Sequence, residues 1–268
     1  MSSRTPSSSS ALVAFSRQSS SFDAIDAANP IIARIRSITR REALALMHPG
    51  DHLLELNAGT GIDSFHFAAH GIHVLATDAA PGMIAQLKQK QRAHPELPVA
   101  VMECSYLDLD RLGERRFQRV FSNFGGLNCT PYLDRVLQGM DRLLLPGGTC
   151  TLVIMPRFSP WEVLGLLKGH FRSAFRRFNK GGTQAHLEGE HFTCHYYSPD
   201  QVRRQLGPQY ELISLRALSL LTPPPHHDRF TTRYPSLYRS LDHWEERLAH
   251  WWPFRNWGDH FLITLRKR

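Results

Sequence analysis

Leu53-Leu54-Glu55-Leu56-Asn57-Ala58-Gly59-Thr60-Gly61, followed by His73-Val74-Leu75-Ala76-Thr77-Asp78, is the stretch that decides the fold. The first half is a short apolar strand that ends in a glycine turn, and the second is another short strand. Gly59 and Gly61 let the backbone turn tightly and approach a ligand with no Cβ in the way. In doubly wound sheets, ligands sit beyond the carboxyl ends of the strands. An aspartate such as Asp78, ending the next strand, offers two acceptor oxygens to a ribose diol there.

The alternation continues along the chain. Ser21 to Met47 is expected to be helical, broken by His48-Pro49-Gly50-Asp51. IDSFHFAAH (62–70) and PGMIAQLKQKQRAH (81–94) have helical spacing, and VAVMEC (99–104) and RVFSNFG (119–125) are strand-like. PYLDRVLQGMDRLL (131–144) predicts a further helix, stopped by Pro146-Gly147-Gly148, and TCTLVIMP (149–156) a fifth strand. Short strands alternating with helices imply crossovers and a parallel sheet covered on both faces. The rhythm lapses near Trp161 and returns with YELISLRALSLL (210–221) and HFLITLRKR (260–268), the last two strands. The expected architecture is therefore an α/β, Rossmann-like, mostly parallel seven-stranded sheet flanked by helices. A cap is inserted after the fifth strand. Residues 1–20, Ser-rich at the start, are expected to be a flexible tail. Residues 21–268 form a single domain, with core about 21–156 and 199–268 and cap about 157–198.

At these residues the chain resembles the class I S-adenosylmethionine-dependent methyltransferases. Glu55 matches the acid of that family's first motif, Gly59 and Gly61 match its second and third glycines, and Asn57 replaces the first. The resemblance implies S-adenosyl-L-methionine as cofactor, with the turn Asn57, Ala58, Gly59, Thr60 and Gly61 around it. It also implies Glu55 near the methionine amino group and Asp78 on the ribose hydroxyls. Ala79 and Met83 would flank the adenine. Ser105 and Tyr106 occupy the loop after the third strand, where the family usually has an aspartate. Asn123 and Phe124 end the fourth strand, and Leu145-Pro146-Gly147-Gly148 is similar to the family's Pro-Gly-Gly turn. A nicotinamide site would instead want a glycine where Ser64 stands, and an acid inside the strand is unusual there.

The acceptor half is less defined. A weakly acidic nucleophile needs a general base, and the cap carries His186, Glu188, Glu190, His191, His195, Tyr196 and Tyr197. Of these, His191 and His195 are the candidate catalytic residues. The spacing His186, His191, His195 with Glu190 suggests a metal site only on suitable secondary structure. Gly189 and Thr193 disfavour a helix there, so no metal is expected. Trp161, Leu164, Leu167, Phe171, Phe175 and Phe178 form an apolar stripe beside Lys168, Arg172, Arg176 and Arg177. It suits a cap helix over a hydrophobic substrate, or a membrane contact.

The formal charge of +8 permits nucleic-acid binding, but the basic residues are dispersed. The alternative is thus an RNA or protein methyltransferase, although Ser122-Asn123-Phe124-Gly125 lacks the Asn-Pro-Pro-aromatic motif of many nucleobase-amine enzymes. The reading favoured is transfer to a small hydrophobic or aromatic acceptor. Cys104, Cys129, Cys150 and Cys194 are scattered without a CxxC pair, and no apolar run is long enough to span a bilayer. Both features lead us to expect a cytoplasmic enzyme.

Overall fold

Strand β1 (His52–Leu56) runs through the middle of a seven-stranded sheet, which is why Leu53, Leu54 and Leu56 are wholly buried. The computed structural model describes residues 6–165 and 175–268. Helices α1 (Pro6–Ala28) and α2 (Pro30–Leu44) precede β1. The alternation then runs α3 (Ile62–Ala68), β2 (His73–Asp78), α4 (Pro81–Ala93), β3 (Val99–Glu103), β4 (Phe117–Ser122), α5 (Leu133–Leu143) and β5 (Leu144–Ile154). Beyond it lie α6 (Pro160–Leu164), β6 (Thr183–Leu187), β7 (Glu190–Cys194), α7 (Pro199–Leu206), β8 (Tyr210–Leu218), α8 (Pro235–Leu248) and β9 (His260–Lys267).

The strand order is β3-β2-β1-β4-β5-β9-β8. Leu54 lies opposite Leu75 on one side and Val120 on the other, both in parallel register. Only β9 runs against its neighbours β5 and β8. This is the expected Rossmann-like, mostly parallel sheet, and the order in which strands are added reverses between β1 and β4. Apolar clusters on both faces cover it. One is built around Val136, Leu137 and Met140 of α5, the other around Phe67 and Leu87 of α3 and α4. The loops after β1 to β4 therefore meet at one edge, where such sheets hold ligands.

The N-terminus differs from expectation. From Pro6 onward the Ser-rich segment is not a loose tail but the start of α1, and the predicted helix 21–47 is two helices. Asn29 separates them. Its side chain accepts from the backbone N–H of Ile31 (3.0 Å) and Ile32 (3.2 Å), and Pro30 occupies the first turn. The physical reason for α1 is packing rather than propensity. Ala11 and Ala14 are buried against Phe192 and Tyr196, and Ser16 and Ser19 lie against α4. At that crossing Ser16 Oγ accepts from the Gly82 N–H at 3.2 Å. A Cβ on Gly82 would stand 2.4 Å from the Ser16 carbonyl oxygen, so only glycine permits this approach.

The segment between β5 and α7 does leave the sheet. It contains an antiparallel hairpin, β6–β7, that sequence periodicity did not reveal. Glu188 and Gly189, both at positive φ, form its tight turn. Arg17 of α1 reaches it, donating to the Glu188 carbonyl at 3.0 Å and pairing with Glu190 at 3.0 Å. Of the predicted apolar stripe, Leu167 and Phe171 lie outside the described residues, as do Lys168 and Arg172. Trp161 turns inward and donates from its indole to the Leu221 carbonyl (3.2 Å), whereas Leu164, Phe175 and Phe178 are exposed. Arg177 is buried and ties the cap to the sheet, donating to the Asp259 carboxylate at 2.7 Å and the Asp259 carbonyl at 2.9 Å. Ser198 caps α7, accepting from Gln201 N–H at 3.2 Å. Among the described residues, no helix is long and apolar enough to cross a membrane.

Because α1 rests on a glycine-only crossing, Gly82→Ala is expected to loosen α1 while leaving the sheet folded. Limited proteolysis should cut between residues 6 and 28 faster in the variant, with far-ultraviolet dichroism nearly unchanged. Equal cleavage rates would contradict this account of the crossing.

Candidate functional site

The turn after β1 owes its path to three positive-φ residues, Asn57 (46°), Gly59 (59°) and Gly61 (86°). Its base is fixed by Ala58 N–H to the Thr77 carbonyl (2.9 Å) and Gly61 N–H to the Ala58 carbonyl (2.9 Å). Asn57, which replaces a glycine of the resembled pattern, does more than tolerate the turn. Its amide donates to the Asn123 carbonyl (3.1 Å) and accepts from Ser122 Oγ (2.7 Å), stitching the turn to the end of β4. A Cβ on Gly126 would lie 2.5 Å from the Asn57 amide carbon, so Gly126 makes the room for it.

Asp78 accepts twice from backbone. The Gly59 N–H reaches Oδ2 at 2.9 Å, and the Ala80 N–H reaches Oδ1 at 2.8 Å. Burial raises its pKa, partly offset by those N–H groups. Each oxygen retains a further lone pair for a ligand donor.

Beneath the turn lies a buried ion network. Asp63, on the first turn of α3, accepts from Arg36 and from Arg40 Nε (2.7 Å), and from Asn123 Nδ2 (2.9 Å). Arg36 also grips Asp26 of α1. Burial alone would raise the Asp63 carboxyl, but the Arg36 and Arg40 guanidiniums hold it below its ordinary value. Glu55 is treated differently. Buried, and close to the Asp63 charge, it is pushed up to about 8 despite the hydroxyl donated by Ser64. Two carboxylates side by side in one burial thus separate in charge state, the arginines settling on Asp63.

A cavity of about 270 Å³ opens above this floor. Of the predicted cofactor residues, Asn57, Gly59, Asp78, Ala79, Met83, Ser105, Tyr106, Asn123 and Phe124 line it. Glu55, Ala58, Thr60 and Gly61 do not. Glu55 points beneath the turn to Ser64, Gly61 begins α3, and Thr60 donates to Asp23 of α1 at 2.5 Å. Tyr106 donates to the Gly126 carbonyl at 3.4 Å, and burial pushes its phenol well above the usual value. Ser105 Oγ accepts from the Leu107 N–H at 3.1 Å, shaping the loop after β3.

The structure does not bring His191 or His195 to this cavity. His191 is exposed on β7, its ring 4.7 Å from that of His186 on β6. His195 faces Gly182 and is anchored by backbone, its N–H donating to the Asn128 carbonyl at 2.7 Å. Alternation on a strand sends His191 to the side opposite buried Phe192 and Cys194. Among the described residues, no group of three or more His, Cys, Asp or Glu could hold a metal.

Sequence reasoning missed the opposite wall, which α1 supplies through Ala11, Leu12, Phe15 and Phe22. The signal was present: Ala11, Phe15 and Phe22 are four and seven residues apart, a helical face hidden in a serine-rich setting. It missed Cys129, Thr130 and Tyr132 as lining residues as well. His260, at the start of β9, stands behind the wall. Its Nδ1 is 3.1 Å from Asp259 Oδ2, and its Nε2 faces Gly125. Asp259, buried between His260 and Arg177, is held well below the carboxylate range.

Residues 53–148 match the model of a methyltransferase domain. That match spans the turn, Asp78 and the Pro-Gly-Gly turn on one sheet, in the order the fold requires. The chain carries a class I S-adenosylmethionine-dependent methyltransferase domain. This methyltransferase domain is 30% identical over 129 residues to a demethylmenaquinone methyltransferase of Beutenbergia cavernae, covering 47% of this chain and 50% of that one. It is 37% identical over 81 residues to a malonyl-[acyl-carrier protein] O-methyltransferase of Serratia marcescens, 30% of each chain. The chain thus spans half or less of the length of these curated relatives. In fold, it is similar to the geranyl diphosphate C-methyltransferase of Streptomyces coelicolor A3(2), with TM-score 0.56, 13% identity, and 88% and 81% of the two chains covered. The CcbJ methyltransferase of Streptomyces caelestis gives TM-score 0.55 at 20% identity, covering 85% and 89%.

The charge state of Glu55 has a measurable consequence. A carboxyl whose pKa is raised on folding favours the fold at acid pH, and that contribution is lost as pH rises from the unfolded value through about 8. Glu55→Gln keeps the side chain neutral throughout. In urea unfolding, the parent's midpoint should fall more between about pH 6 and about pH 9 than the variant's. Parallel declines would show that Glu55 is ionised in the fold at neutral pH.

Proposed function

We propose that this chain transfers a methyl group from S-adenosylmethionine to a small, apolar or aromatic molecule. The observation that carries the reading is a single cavity with two unlike walls. Asp78, Gly59 and Asn123 form one, and the apolar face of α1 forms the other.

The residues present fit the cofactor. Asp78 is a buried acceptor with two oxygens held in place by backbone N–H groups. Gly59 borders the cavity, and a Cβ there would project toward Met83 and Phe22, both at 4.0 Å. Asp78 would hold the ribose hydroxyls, while Ala79, Met83, Ser105 and Tyr106 would bound the adenine. Bound there, the cofactor supplies a methyl group that its sulfonium already makes electrophilic. The protein's task is then to position an acceptor and exclude water. Leu12, Phe15 and Phe22 serve both ends, since apolar side chains over the cavity bind an apolar acceptor and displace solvent.

Neither His191 nor His195 lines the cavity, and the Tyr106 hydroxyl is engaged as a donor and kept protonated. An acceptor whose nucleophilic atom gives up its proton readily suits these surroundings better than an unactivated alcohol. The relative named for demethylmenaquinone acts on a small molecule, in keeping with this reading.

Two measurements test the proposal. In calorimetry, Asp78→Ala should weaken S-adenosylhomocysteine binding by about a hundredfold, the effect of losing two charge-assisted hydrogen bonds. Unchanged affinity would remove the cofactor assignment. Methyl transfer from labelled S-adenosylmethionine should reach members of a panel of phenols and carboxylic acids, with little dependence on salt. Labelling of RNA that collapses as salt rises would instead favour a nucleic-acid acceptor.

A further inference from the structure

The exposed side of α8 and the turn after it are unusual for a water-facing surface. Leu237 and Trp244 lie seven residues apart on one helical face, both 50% exposed. In the turn beyond the helix end, Trp251 and Trp252 are 66% and 75% exposed. Large apolar side chains this open, grouped together, mark a contact surface rather than scatter.

The charges around them are sorted. α8 has three carboxylates, Asp242, Glu245 and Glu246, and all are committed to arginines of the body. Asp242 and Glu245 take Arg34, the latter at 3.1 Å, and Glu246 takes Arg216 at 3.1 Å. Arg233, Arg239 and Arg247 remain outside. Among the described residues, no carboxylate pairs with any of the three. Two of them lie over aromatic rings instead, Arg247 at 5.3 Å from Trp244 and Arg233 at 5.4 Å from Tyr234. The surface therefore presents tryptophan, leucine and uncompensated guanidinium together. Aromatic contacts join it to the cap: Phe230 lies 5.2 Å from Tyr234 and 5.8 Å from Trp161.

We propose that this face docks onto an anionic lipid surface, with the tryptophans at the headgroup boundary and the arginines against lipid phosphates. Indole rings prefer that boundary, having an apolar body and one polar N–H. Arginines without local counterions gain from a negatively charged leaflet. A second copy of the chain would bring the same positive surface and be repelled across a twofold contact. Nucleic acid would stack on the tryptophans but gain nothing from Leu237.

The full chain should co-sediment with vesicles of phosphatidylglycerol and phosphatidylcholine, and much less with phosphatidylcholine alone. Arg239→Gln/Arg247→Gln should weaken binding to the anionic vesicles by about thirtyfold, at about fivefold per basic residue near such a surface. Trp251→Ala/Trp252→Ala should weaken binding to both kinds of vesicle. All four positions are solvent-facing, so dichroism should match the parent. Vesicle binding equal to the parent's in both variants would overturn the proposal. So would a parent dimer in sedimentation velocity that the tryptophan variant abolishes, or RNA retention lost in the variants when vesicles bind neither.

Discussion

Asp63 is the constraint on which the site depends. One buried carboxylate receives Arg36 and Arg40 from α2 and Asn123 from the end of β4, while sitting on the first turn of α3. Arg36 carries the connection on to Asp26 of α1, and its guanidinium covers the Phe124 ring at 4.6 Å. Four separate segments around the β1 turn are therefore fixed to one charge. A buried carboxylate stripped of its arginines would be far less stable ionised, and arginines stripped of the carboxylate fare no better. The network consequently sets relative positions more than it adds stability. It also bears on Glu55, whose carboxyl is raised first by burial and then by the Asp63 charge beside it.

Much of the sheet was legible in the sequence because parallel strands buried on both faces are written as short apolar runs between glycine and proline punctuation. HLLEL and HVLATD are such runs, and they became β1 and β2 at the residues expected. The strand-end wall of the cavity was legible for a related reason. Its residues sit at strand ends, where sequence order and spatial order coincide. What failed to show lies where contacts are long-range. α1 is a helix because Gly82 and the β6–β7 hairpin give its alanines and serines something to pack on, and composition alone suggested a tail. The hairpin itself is short and half exposed, so its strands carry little apolar alternation to mark them.

The same distinction explains the histidines. Clusters of titratable residues in a cap attract attention in a sequence, yet pleating sends His191 outward and backbone bonding turns His195 toward Gly182. The histidine that approaches the cavity wall, His260, comes from the opposite end of the chain, its Nδ1 3.1 Å from the carboxylate of the preceding Asp259. The wall facing the strand ends is assembled from α1 and the segment after β4, which lie far apart in sequence. The strand-end wall depends on local order, whereas the α1 wall depends on tertiary assembly.

Asn57 and Gly126 also carry an evolutionary implication. The asparagine side chain fills the space that a side chain at 126 would need, 2.5 Å from where its Cβ would stand. In a relative with glycine at the first position, the neighbour at 126 is released from that steric demand, and the hydrogen bonds to Ser122 and Asn123 vanish together. The two positions are thus epistatic: what is tolerated at one is set by the other. A side chain placed at 126 would have to displace the Asn57 amide and break its bonds to Ser122 and Asn123, so the two positions constrain each other through one small volume.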